Sequence, residues 1–246
     1  MRLNIAAACA EASTIWKRDR DVIAAVGGVF FFLPNLAMAL FARVETATVS
    51  TTGGAADDQA LLASMQSFLI DNAPMLAFQM IAELVGVTVL LALLLDPSRP
   101  TVGEALRIVA RRLPVLIAAM LLINVALVCG MALFIVPGLY VIGRAALVMP
   151  VLIAEPERRF GDAIGRAVEL TRGRVIQLLS LWALIFVGAY FVQTLLQSLA
   201  RAASSGGSNP VTLGMVAIAT SAVSMATAIA YTLTRAAIYR RLASNG

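Results

Sequence analysis

The 246-residue chain contains no histidine, only two cysteines, and few charges: aspartate, glutamate, lysine and arginine make up 13% of it. Each scarcity excludes something. Without histidine, the imidazole general base and the triads that depend on it are absent. Cys9 and Cys129 fall in different segments and suggest neither a disulfide framework nor a metal site. The apolar stretch before Cys9 is too short for the ~7–15-residue core of a signal peptide, so no lipoprotein cleavage is expected there. Soluble domains carry about 25% charged and about 45–50% apolar residues. This chain, 60% hydrophobic with a mean hydropathy of +0.88, lies outside that class. A soluble enzyme, a disordered regulator and a nucleic-acid-binding domain are excluded, despite a net charge of +5 and a pI near 9.9.

What is there instead is a series of long uncharged runs. No charge lies between Asp21 and Arg43, Arg112 and Arg144, Arg174 and Arg201, or Arg201 and Arg235, and Glu83 alone interrupts the run from Asp71 to Asp96. About 20 helical residues cross the hydrocarbon layer. The runs therefore predict an all-α membrane protein with a single integral domain over residues 1–246. Its six spans are Val22–Ala42, Pro74–Leu95, Leu113–Val136, Leu139–Ala154, Val175–Leu199 and Val211–Thr234. Only Pro137-Gly138 parts the third from the fourth, and this pair predicts a tight helical hairpin rather than one kinked helix.

The basic residues predict orientation. Sixteen of the nineteen lysines and arginines fall before the first span, between the second and third, between the fourth and fifth, or after the sixth. The other side holds Arg43 and Arg201 with Glu45, Asp57, Asp58 and Asp71, and Arg144 lies inside a span. By the positive-inside rule both termini are expected in the cytoplasm.

The cytoplasmic connections share a design. Thr101-x-x-Glu104 has the form of a capping box and predicts a short amphipathic helix to Arg112. Phe160–Thr171 repeats the pattern, and Val102-Gly103-Glu104-Ala105-Leu106 aligns with Phe160-Gly161-Asp162-Ala163-Ile164. Leu3–Lys17 reads as a weaker third copy. The expected organisation is three repeats of interfacial amphipathic helix plus transmembrane hairpin; the alternative is polar linkers that happen to be helical. On the far side, Asp57–Ile70 predicts an amphipathic helix, Ser50-Thr-Thr-Gly-Gly-Ala a flexible stretch, and Ser204–Pro210 a turn.

No enzyme motif emerges, and no Walker A sequence or intramembrane carboxylate pair is present. Ser221 and Ser224 stand among small residues of the last span and read as packing contacts rather than nucleophiles. Glu83 and Arg144 are the informative intramembrane charges, since a charge at such depth faces the protein interior and finds a partner. Three readings stay open: a structural Glu83–Arg144 pair, a ligand site, or an Arg144 that snorkels to outer headgroups. Arg107, Arg111, Arg158, Arg159, Arg166 and Arg172 are the candidate contacts for anionic lipid. No cofactor or metal site is expected.

Pro137-Gly138, Arg144, Pro150 and Glu155, followed by Gly161-Asp162-Ala163 and Arg172-Gly173-Arg174, carry a resemblance. Over these residues the chain resembles the membrane domain associated with bacterial glycerophosphoryl diester phosphodiesterases, and related six-span inner-membrane proteins. Ala167 stands where that family usually shows a serine. The resemblance implies a membrane fold in a bacterial inner membrane, without the hydrolytic activity, which belongs to a separate soluble domain. The functional expectation is a non-enzymatic protein that binds or organises membrane lipid, or supports a partner membrane protein or a second copy of itself. A small-solute or peptide transporter, or an export or immunity permease, is the alternative. A dry packed interface around Glu83 favours the first, and a water-filled cavity reaching one side favours the second.

Overall fold

A computed structural model describes residues 5–42, 55–96, 98, 100–203 and 210–243, and every regular element among them is a helix. The expectations for the flexible stretch 50–54, the turn at 204–209, Arg2, Arg43, Glu45 and Arg99 lie outside the described residues, as do the side chains of Asp57, Asp58 and Arg201. The elements are α1 (Ile5–Gly27), a π-helical stretch (Gly28–Phe32), α2 (Leu33–Phe41), α3 (Ala55–Asp71), α4 (Ala73–Leu95), α5 (Val102–Leu133), α6 (Ile135–Ala145), α7 (Val148–Ala154), α8 (Phe160–Leu170), α9 (Val175–Ala203) and α10 (Pro210–Ala243). Five stretches are long and apolar enough to cross a membrane: Cys9–Phe41, Ala73–Leu95, Val102–Leu133, Val175–Leu199 and Val211–Ala243. Gly138–Ala154 is a shorter apolar segment. An apolar run is driven to helix because hydrocarbon offers its backbone amides no partner but the chain itself.

Breaks in these helices have local causes. Pro34 cannot donate to the Phe30 carbonyl and its ring crowds it. The turn before it widens, so that the Leu33 amide bonds the Gly28 carbonyl five residues back. Pro150 denies a donor to the Ala146 carbonyl in the same way, and the fourth span divides at Ala146-Leu147 into α6 and α7. Asp19, at φ −120° and ψ 23°, kinks α1. The hairpin between α5 and α6 is present, but it turns at Phe134, which is extended at φ −166° and ψ 158°. Pro137-Gly138 instead sits in the first turn of α6, where a missing amide hydrogen costs nothing.

Two boundaries also differ from expectation. The amphipathic segment 102–112 does not end before the third span; it is the first part of one 32-residue helix that carries Pro114 in its interior. The last helix likewise continues through Arg235 to Ala243. By contrast, α8 is a separate helix, closed off from α9 by Gly173 at φ 72°.

The helices close into a ring. The first span packs on α4, α4 on α5, α5 on α6, α6 on α9, α9 on α10, and α10 back on the first span. At one end of the bundle Arg241 pairs with Glu11 at 2.6 Å, joining the two terminal helices. There too Arg240 donates to the Leu94 carbonyl, and Arg112 bonds the carbonyls of Leu152 (3.0 Å) and Pro156 (3.3 Å). At this basic end α7 plugs the ring, with Val148, Met149, Pro150, Val151, Leu152 and Ile153 all buried. The core gathers around it: Leu84–Leu94 of α4, Ile229–Leu242 of α10, and Leu178, Leu181 and Trp182 at the start of α9. Among the described residues the opposite end has no such plug.

Candidate functional site: an intramembrane vestibule

Beyond α7 the ring encloses open space. A cavity of about 500 Å³ lies between the first span, α4, α9 and α10. A second of about 450 Å³ lies between α4, α5, α6, α9 and α10. Glu83, Val87, Phe186, Tyr231 and Arg235 line both, so these five side chains stand in a shared wall. Most of the surface is apolar, as is usual for ligand cavities, which place a few polar groups on an apolar wall. The polar groups of the larger cavity are Asn35, Glu83, Tyr190, Gln193, Ser224, Thr227, Tyr231 and Arg235.

The two charges are held differently. Glu83, midway along α4, accepts hydrogen bonds from Asn35 Nδ2 (3.3 Å) and Gln79 Nε2 (3.1 Å), both on Oε1. Gln79 is one turn before Glu83 on the same helix face, and it also donates to Asn35 Oδ1 at 3.2 Å. Asn35 in turn donates to the Phe31 carbonyl at 2.8 Å, within the widened stretch that Pro34 forces. Glu83 Oε2 accepts nothing among the described residues. Arg235 donates through Nη2 to the Tyr231 hydroxyl at 2.7 Å. Its guanidinium carbon lies 3.9 Å from the Tyr231 ring centroid and 5.9 Å from that of Trp182, so two aromatic faces stabilise the cation. Trp182 meets Tyr231 edge-on at 5.3 Å. Arg235 Nε is buried and has no hydrogen-bond partner among the described residues. On the vestibule's other flank, Gln193 Nε2 donates to Ser224 Oγ at 3.1 Å and ties α9 to α10.

Glu83 and Arg144 are not brought together. Arg144 lies ten residues past the Phe134 turn and reaches the other way, toward the basic end. Its Nε and Nη2 donate to the Tyr140 hydroxyl, the first at 2.8 Å, and Nη1 donates to the Val168 carbonyl. It caps the open C-terminal carbonyls of α8, where a cation is favoured. Of the three readings left open for these charges, the direct Glu83–Arg144 pair is not formed: Glu83 bonds Asn35 and Gln79, and Arg144 bonds Tyr140 and Val168.

Most other residues of the motif hold the basic end together. Glu155 accepts from Tyr239 Oη at 2.9 Å, pairs with Arg158, and lies 4.0 Å from Arg166 Nε. Burial alone would raise its pKa; the hydrogen bonds from Arg158 and Tyr239 and the two nearby cations outweigh this and hold the carboxyl below its ordinary range. A Cβ on Gly138 would lie 2.5 Å from Met131 Sδ and 3.1 Å from the Met131 amide, so the glycine permits the close α5–α6 approach. Ala163 is fully buried, Gly173 takes the left-handed turn, and the Pro137 side chain lies outside the described residues.

The six candidate lipid-contact arginines divide. Arg107, Arg111, Arg159 and Arg172 are exposed, with no ion pair among the described residues. Arg158 is exposed but pairs with Glu155, and Arg166 pairs with Glu155 and with Glu169 at 3.7 Å. Among the described residues no group of three or more acidic or cysteine side chains could hold a metal ion.

Sequence reasoning missed Asn35, Gln79, Gln193, Tyr231 and Arg235. A search for side-chain amides inside the apolar runs would have found the first three. Arg235 was assigned to the cytoplasmic tail because it is the first charge after the last uncharged run. No family model matches the chain, and neither a curated protein nor a solved structure matches it.

Proposed function

We propose that this is a non-enzymatic, multi-pass protein of a bacterial cytoplasmic membrane, with both termini inside, that binds a membrane amphiphile in its vestibule. The observation that carries the reading is a ligand-sized, largely apolar cavity within the membrane-spanning ring, with a carboxylate and a guanidinium in its wall. Apolar lining suits acyl chains, and the polar groups suit a headgroup. The four exposed arginines of the basic end would lie against anionic headgroups there, each worth up to about 1 kcal/mol. The resemblance to the membrane domain of the phosphodiesterases supports the same setting, and under it the interfacial segments and hairpins form three repeats. A solute permease is the second reading, favoured by the fact that Glu83 faces a cavity rather than a dry contact.

The test is lipid retention. The wild-type protein and an Ala189→Phe variant, whose new ring projects into the vestibule, are extracted in mild detergent and their bound lipids quantified. The reading expects a stoichiometric lipid in the wild type and its loss in the variant. Equal lipid in both, with solute flux in liposomes abolished only by the variant, would decide for the permease.

A further inference from the structure

We propose that the vestibule's polar wall is a binding site for a zwitterion, with a ligand ammonium on Glu83 and a ligand anionic oxygen group on Arg235. This rests on the reading of the vestibule as a binding cavity and specifies the chemistry it selects.

Three observations carry it. First, both charges line the same space and have unused hydrogen-bonding capacity. Both Glu83 hydrogen bonds fall on Oε1, leaving Oε2 as a free acceptor among the described residues. Arg235 spends Nη2 on Tyr231 and leaves Nη1 without a hydrogen bond among the described residues. A guanidinium nitrogen in the cavity wall with unused hydrogens is a donor for a ligand oxygen. Second, the two charges line both cavities without pairing to each other within 4.0 Å. Arg240 reaches the Leu94 carbonyl, which sets α10 and α4 level to within one arginine's reach. From that level Glu83 stands eleven residues up α4 and Arg235 five up α10, a difference of about 9 Å at the helical rise. Two long side chains lining one cavity across that interval can flank a molecule whose opposite charges are a few bonds apart. Third, the balance of charge decides between ligand classes. A simple anion would satisfy Arg235 and leave Glu83 facing a like charge; a simple cation would do the reverse. Only a ligand carrying both signs satisfies both. The aromatic faces of Tyr231 and Trp182 fix the guanidinium in place beforehand, which lowers the ordering cost of binding.

A zwitterion of this kind comes from two sources: the headgroup of phosphatidylethanolamine, or a free species such as glycerophosphoethanolamine. Both are tested on the full chain in mild detergent by native mass spectrometry, with phosphatidylglycerol and glycerophosphoglycerol as the singly anionic counterparts. Preferential retention of phosphatidylethanolamine assigns the site to a headgroup. Retention of glycerophosphoethanolamine without the lipid assigns it to a free solute. In either case Glu83→Gln and Arg235→Gln should each weaken retention about tenfold or more, the loss of one charged hydrogen bond. Equal retention of the zwitterionic and anionic probes by the wild type overturns the proposal, and this comparison needs no variant to fold. Charge variants that melt like the wild type yet keep its selectivity overturn it too. Ala189→Phe separates the two levels of inference. If it leaves retention intact, the vestibule is not where ligand binds. If it abolishes retention that never distinguished the headgroups, only the zwitterion falls.

Discussion

Glu155 is the residue on which most of the basic end converges. Its carboxylate touches α8 through Arg166, α10 through Tyr239, and its own loop through Arg158. Arg166 already has a buried Nε without a hydrogen bond, so removing the nearby negative charge leaves it with only the exposed Glu169. Glu155→Gln should therefore cost about 1.5–3 kcal/mol, and Tyr239→Phe about 1 kcal/mol, in detergent melts at neutral pH. The pH dependence has a definite sign. The folded carboxyl ionises below its unfolded value, which is about 4.3, so its stabilisation is complete above about pH 5 and is lost as pH falls through the folded value. Melting temperature should fall on acidification below about pH 4, and less steeply in Glu155→Gln. A Glu155→Gln protein that melts and acidifies like the wild type would remove Glu155 as the hub.

At the scale of elements, glycines distinguish packed seams from open faces. A Cβ on Gly86 would lie 2.6 Å from the Phe30 Cβ and 2.8 Å from the Phe31 ring. Gly86 lets α4 lie directly on the π-helical stretch, and Phe30 Cβ cannot swing away because it is fixed to the backbone. Gly86→Ala should destabilise by about 1–3 kcal/mol even though alanine is the better helix former. Gly165→Ala, in the middle of α8 with open space around it, should stabilise by about 0.5–1 kcal/mol. Paired melts of the two variants check the opposite signs. Much at this scale was legible in the sequence. The apolar runs lie in the expected helices, and the Thr101–Glu104 box forms in full, with the Thr101 amide donating to the Glu104 carboxylate at 2.7 Å and Glu104 N to Thr101 Oγ1 at 3.4 Å. Less legible were the boundaries set by competition. The last helix runs past Arg235, whose cation lies over the rings of Tyr231 and of Trp182 from another helix, a partnership no count along one chain could show. Depth of a charge can be counted along one chain; its neighbour depends on the order in which helices close the ring. Hence Glu83 could be marked as buried while its amide partners could not be named.

For the molecule as a whole, orientation follows from where charge gathers. The first and last helices, joined by Glu11 and Arg241, meet Arg112, Glu155 and Arg240 at one end. A reporter fused after Gly246 should be active only in the cytoplasm, and one inserted at Gly53-Gly54 only outside it. Activity of the C-terminal fusion on the outer side would reverse the arrangement. The plug has a further consequence. Because α7 fills one end of the ring and nothing equivalent among the described residues fills the other, amide protons of the two halves should exchange on different clocks. Those of Leu84–Leu94 and Ile229–Leu242 should exchange only with global unfolding, and those of Val211–Ile218 should exchange through local opening. With that pattern the molecule would behave as a stiff collar in one leaflet carrying pliant staves in the other, and passage of the proposed ligand into the vestibule would be a breathing motion confined to a single leaflet.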